Sequence, residues 1–196
     1  MVSDMGKTMQ DTLASLRQRG LCRVPDPVAW QLPGARQCLA AALQVVLPGA
    51  VWLPEYEEVA DWLTCNHGRG LLCMGRVGRG KTLLCARVLP LLIDHYFGKV
   101  VNIVDARKLS DDYDRVSKLH LVCVDDVGTE GAVNKFGHYW RPFASLVDAA
   151  EKEGKLLLLT TNLSPDELHE KYGERTFDRL RAITRMVVFN GESMRE

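Results

Sequence analysis

The 196-residue sequence predicts an α/β fold, a mostly parallel sheet held between helices, on three observations. Apolar runs of strand length alternate with segments of helical periodicity from about residue 55 onward. A glycine-rich stretch, "GRVGRGKT" (75–82), stands between one such run and one such segment. Two later apolar runs, "LVCVDD" and "KLLLLTTN", end in polar residues, and ligands bind at the carboxyl edge of such sheets.

Before the alternation, residues 1–50 form a leader with a short helix around "MQDTLASLRQRG", a proline-containing break at "VPDPVAWQLPG", and a helix in "ARQCLAAALQVVL". "EYEEVADWLTCNHG" reads as a helix, with Pro54 and acidic Glu55, Glu57 and Glu58 at its start and Gly68 beyond its end. "GLLCM" is a buried-type strand, and "KTLLCARVLPLLIDHYF" carries helical spacing in which Pro90 is expected to kink or end the helix. "VVNIVDA" and "LHLVCVDD" follow as strands, then a helix within "YWRPFASLVDAAEKEG", the strand "KLLLLTTN", the helix "SPDELHEKYG" and the strand "RMVVFN".

Composition narrows the setting without naming a partner. Lysine plus arginine equals aspartate plus glutamate at 25 each, so bulk charge does not argue for nucleic acid. The six cysteines, at 22, 38, 65, 73, 85 and 123, form no C-x-x-C pair and are read as reduced, with Cys73 and Cys123 in the core. A signal peptide and an apolar run of membrane-spanning length are both lacking, which makes a cytoplasmic protein with no membrane partner the expectation.

Gly75, Arg76, Val77, Gly78, Arg79, Gly80, Lys81 and Thr82 satisfy G-x-x-x-x-G-K-[ST], the phosphate-binding P-loop. Glycines let the backbone curl until several N–H groups face one anion, and the N-terminal end of the following helix, which Lys81, Thr82 and Leu83 open, faces the same phosphates. Lys81 is expected to reach the outer phosphates of a bound nucleotide and Thr82 to place its hydroxyl on Mg2+. At the end of "LVCVDD", Asp125 is the candidate magnesium ligand and Asp126 the group that orients or deprotonates an attacking water, although Asp-Asp pairs also form turns. Asn162, at the tip of "KLLLLTTN", is placed to hold that water; capping by Ser164 or Asn162 is the structural alternative.

In order, GRVGRGKT, LVCVDD, TTNLS, GERTFDRL and FNGESMR resemble the DnaC/IstB group of AAA+ ATPases, which includes helicase loaders and transposition helper ATPases. The resemblance runs from about residue 52 to the end, so that 51–196 is the expected ATPase core, with little or no C-terminal lid domain. It implies that Lys81 and Thr82 are the Walker A pair, Asp125 and Asp126 the Walker B pair, and Asn162 the first sensor. It further implies that Arg179 is an arginine finger offered to a neighbouring subunit's nucleotide, with Arg175 one turn before it on the same helix face, and that Arg195 is a late sensor. A finger acting in trans implies a nucleotide-dependent homo-oligomer, with a replicative helicase or related DNA-processing protein as partner. A surface helix in which Glu174 and Asp178 pair with these arginines is the bland alternative.

Two features depart from the family pattern. Only about 50 residues precede the core, where loaders carry a helicase-binding module, and only "RKLSDDYDRVSK" stands where this clade inserts a DNA-contacting helical element. Asp111, Asp112 and Asp114 there repel phosphates, so DNA binding is not supported by charge or by the short 105–120 segment. Three readings remain: a helicase loader or remodeller, a transposition helper that binds DNA and recruits a transposase, and a nucleotide-gated adaptor with little turnover.

Overall fold

The computed structural model describes residues 8–21, 27–131, 133–135 and 138–194. Arg195, the expected late sensor, lies outside the described residues. The described elements are α1 (Met9–Gln18), α2 (Ala35–Val46), α3 (Glu55–Thr64), β1 (Gly70–Gly75), α4 (Lys81–Leu83), α5 (Leu89–Phe97), β2 (Asn102–Asp105), α6 (Leu109–Val116), β3 (Leu121–Val127), β4 (Val133–Lys135), β5 (His138–Trp140), α7 (Pro142–Glu153), β6 (Leu156–Thr161), α8 (Pro165–Tyr172), α9 (Glu174–Ile183) and β7 (Thr184–Phe189). Five strands form one parallel sheet in the order β2-β3-β6-β1-β7, as the alternation of apolar runs predicts.

Alternation along each strand divides the core into two layers. Leu71, Cys73, Cys123, Leu156, Leu158 and Phe189 face α2, α3 and α5, whereas Leu72, Met74, Val122, Val124, Leu157 and Leu159 face α6, α7, α8 and α9. Strands buried on both faces need apolar residues at every position, which is why "GLLCM" and "LLLL" read as unbroken runs. Leu39 and Leu43 of α2 sit in the same core layer as Val59 and Leu63 of α3, so residues 35–46 are built into this core. By contrast α1, closed by a Thr8–Asp11 capping box, buries no residue.

Pro90 does not end its helix, which continues to Phe97. Between α4 and α5 the backbone widens into a π-helical turn over Leu84–Val88, where the Leu89 N–H donates to the Leu84 carbonyl, five residues back. Widening immediately before Pro90 moves aside the carbonyl its ring would strike and asks for no N–H from the proline itself. Two elements escape the sequence reading. The acidic connector forms α6, which buries Leu109 and Val116, and β4 pairs with β5 as an antiparallel hairpin.

Because all five strands run the same way, the ends of β1, β3 and β6 lie side by side at one edge. Cys73 and Met74 are in register with Thr160 and Thr161, and Val127 with Thr161. The P-loop, the aspartate pair and the "TTN" tip therefore meet without any long-range rearrangement.

Candidate nucleotide site

The loop between β1 and α4 takes the curled form that its glycines permit. Gly78 and Gly80 have φ of 86° and 85°, and a Cβ on Gly78 would come 2.1 Å from Ser193 Oγ. Backbone conformation thus favours glycine at both positions, and space also does so at Gly78. Lys81, 5% exposed, donates from Nζ to the carbonyls of Gly75 (2.6 Å) and Arg76 (2.8 Å) and to Asn162 Oδ1 (2.9 Å). Burial holds its pKa below the usual lysine value, against the opposing pull of Asp126 and Asp125.

Thr82 Oγ1 donates to Asp125 Oδ1 at 2.9 Å, and the same carboxylate oxygen accepts from Thr160 Oγ1 at 2.5 Å. Asp126 sits at φ 58°, a left-handed conformation uncommon outside glycine, and its Oδ1 accepts from Asn162 Nδ2 at 3.4 Å. Lys81, Thr82, Asp125, Asp126 and Asn162 are thus brought into one connected group. Lys81, Thr82, Asp126 and Asn162 line a cleft of about 460 Å3 together with three exposed apolar side chains: Leu47 from the end of α2, Val77 from the loop and Met194 after β7. The exposure of these three, 46%, 57% and 46%, lets them offer an apolar surface to a flat ring. Leu47 lies outside every motif, and Met194 lies within "FNGESMR", where the sequence reading singled out only Arg195.

The donor set suits a magnesium nucleotide. Thr82 Oγ1 and Asp125 Oδ1, hydrogen-bonded to each other at 2.9 Å, are a hydroxyl and a carboxylate oxygen of the hard kind that Mg2+ takes. Among the described residues no group of three or more His, Cys, Asp or Glu could hold a metal by itself. Thr82 and Asp125 would therefore share the ion with phosphate oxygens, as magnesium sites in nucleotide enzymes commonly do.

Other expected site residues are placed differently. Arg79 lines the cleft, but its guanidinium is engaged by Glu55, with Nε 3.2 Å from Glu55 Oε1 and Nη2 3.4 Å from Glu55 Oε2, so it ties the loop to α3. Arg76 is exposed beside the Asn190–Glu192 tail. Ser164, not Asn162, caps α8, in a reciprocal capping box with Glu167. Arg179 and Arg175 do not line the cleft of their own chain. Arg179 pairs with Asp148 and, at 2.7 Å, with Glu151 of α7, while Arg175 is 3.8 Å from Asp148 with its side chain 79% exposed. These α7 carboxylates, rather than Glu174 and Asp178, are the partners. A second cavity of about 510 Å3 lies beside Arg141 and Lys171, where Tyr172 donates to Glu130, Glu130 accepts from the Gly128 N–H at 2.8 Å, and Lys171 donates to the Gly128 carbonyl at 2.6 Å.

Solved structures share this architecture. DnaI superposes with a TM-score of 0.52 at 21% identity over 65% of this chain and 73% of its own. The DnaC helicase loader gives 0.53 at 17% identity over 82% and 93%. The chain has the P-loop AAA+ fold. DnaA from Aquifex aeolicus, solved with AMPPCP bound, gives 0.53 at 14% identity over 72% of this chain and 48% of its own. Neither a protein-family model nor a curated protein matches the chain.

Proposed function

We propose that the chain is a magnesium-dependent ATPase that acts in DNA replication as a helicase loader or remodeller. The observation that carries the reading is the convergence of Lys81, Thr82, Asp125, Asp126 and Asn162 at one sheet edge, beside a cleft that Leu47, Val77 and Met194 also line. The loop N–H groups and Lys81 would bind the phosphates, and Leu47, Val77 and Met194 the base. Thr82 and Asp125 would hold Mg2+, whose charge would be shared with the phosphate oxygens. Asp126 would orient or accept a proton from the attacking water, with Asn162 holding that water in place. Arg179, with Arg175 beside it, would serve a neighbouring copy's nucleotide, and Arg195 would contact the chain's own.

The replication role is drawn from likeness to the DnaC helicase loader and to DnaI and DnaA. In this reading residues 51–196 carry the ATPase motifs, α2 from the preceding segment completes their core, the active form is a homo-oligomer, and the setting is cytoplasmic. No described helix is long and apolar enough to cross a membrane. The test is ATP hydrolysis measured with and without single-stranded DNA and with and without the replicative helicase of the same cell. Stimulation by the helicase supports loading, whereas stimulation by duplex DNA and a transposase would move the assignment to the transposition helper.

A further inference from the structure

Between Val124 and Val127 the register of β3 against β6 shifts: Val124 lies opposite Leu159, but Val127 lies opposite Thr161. Three steps along β3 thus match two along β6, and the extra residue is a β-bulge in a parallel pair. Asp125 and Asp126 together face Thr160. Asp126 takes up the irregularity in its φ of 58°, which turns its N–H out of the ladder. An N–H turned out of the ladder needs another acceptor, and here, partly buried, it donates to Thr160 Oγ1 at 2.9 Å. The proton of that hydroxyl goes to Asp125 Oδ1 at 2.5 Å. Thr160 is itself fully buried, so water cannot replace it.

We propose that Thr160 is the positioning residue of the aspartate pair, one hydroxyl that holds the Asp125 carboxylate by donating and the Asp126 backbone by accepting. This inference rests on the ATPase reading for its kinetic consequence but on geometry alone for its structural one. The hydroxyl fits the task because it has one donor and two acceptor lone pairs on one atom. Valine has the same shape and neither capability. Thr161, its neighbour, faces the other way, donating to the Val127 carbonyl at 2.6 Å and accepting from the Leu163 N–H at 3.1 Å, so it stitches the strands without touching either aspartate.

The experiment compares wild type, Thr160→Val and Thr160→Ser by steady-state ATP hydrolysis with magnesium and by amide hydrogen exchange at Asp126. Thr160→Val is expected to lower kcat at least about tenfold, as displaced catalytic groups do, while the KM for ATP stays within about threefold. Its Asp126 amide is expected to exchange more than about tenfold faster, and Thr160→Ser, which keeps the hydroxyl, to remain near wild type in both. If Thr160→Val does not fold, Thr160→Ala makes the same comparison. Wild-type kcat with unchanged exchange in the valine variant overturns the proposal, as does a serine variant equally impaired or a loss confined to KM. Should wild type bind ATP without hydrolysing it, the ATPase reading falls, and unchanged Asp126 exchange would then overturn the Thr160 assignment separately.

Discussion

Glu55→Gln probes how the loop is anchored. The Arg79 and Glu55 side chains retain 15% and 7% of their exposure and meet through two N–H···O contacts. Removing one partner of a buried pair costs about 3–5 kcal/mol, because the other charge stays behind uncompensated. Glutamine keeps one acceptor oxygen and Arg79 keeps a solvent-facing edge, which lowers the expected cost to about 2–3 kcal/mol. For a chain of this size each kcal/mol moves the midpoint by about 2–4 °C, so Glu55→Gln should lower Tm by roughly 4–12 °C in a thermal scan. The paired replacement Glu55→Met with Arg79→Leu should recover most of that loss, since no lone charge remains. Because Arg79 belongs to the loop itself, ATP affinity in Glu55→Gln should fall severalfold as the curled backbone loosens. A Tm within about 2 °C of wild type, or a double-mutant coupling near zero, would refute the idea that this pair fixes the loop.

Two further predictions address roles within and between subunits. Asp126→Asn should bind ATP normally and lose about 100-fold or more in hydrolysis, whereas Asp125→Asn should weaken the magnesium dependence of binding, both read by calorimetry and phosphate release. Arg179→Ala should bind ATP as wild type does when monomeric yet hydrolyse it slowly when assembled, and mixing it with Lys81→Ala should restore part of the activity. If verified mixed assemblies stay at the level of the separate variants, the trans finger is removed. In that case Arg179 serves only to lock α9 to α7 through Asp148 and Glu151.

The fold was legible because its strands are buried on both faces and its loop has strict spacing. "GLLCM", "LVCVDD" and "KLLLLTTN" announce themselves by composition, and parallel order then brings their ends together. What stayed hidden depends on partners distant in sequence. Pro90 reads as a breaker until the π-turn before it is seen, and the β4–β5 hairpin is too short to show alternation. Arg79 matches the loop motif in position, but its side chain answers to Glu55, 24 residues earlier. Thr160 was visible as a polar residue ending a leucine run, yet its link to both aspartates needs the register shift between β3 and β6. Arg179 was placed on the right helix face, while its carboxylate partners on α7 carry no local sequence mark.

The central claim is that the loop around Lys81 binds ATP, and calorimetry of wild type against Lys81→Ala tests it most directly. Lys81 Nζ makes three hydrogen bonds within the site, so the variant must first be shown to be folded by circular dichroism and thermal melting. Charge-assisted hydrogen bonds contribute about 1.5–3 kcal/mol each, and every 1.4 kcal/mol is about tenfold in affinity. With one or two such bonds to phosphate lost, the account predicts one ATP bound per wild-type chain and a roughly 100-fold or greater loss of affinity in the folded variant. Equal ATP affinity in the two folded proteins would contradict it.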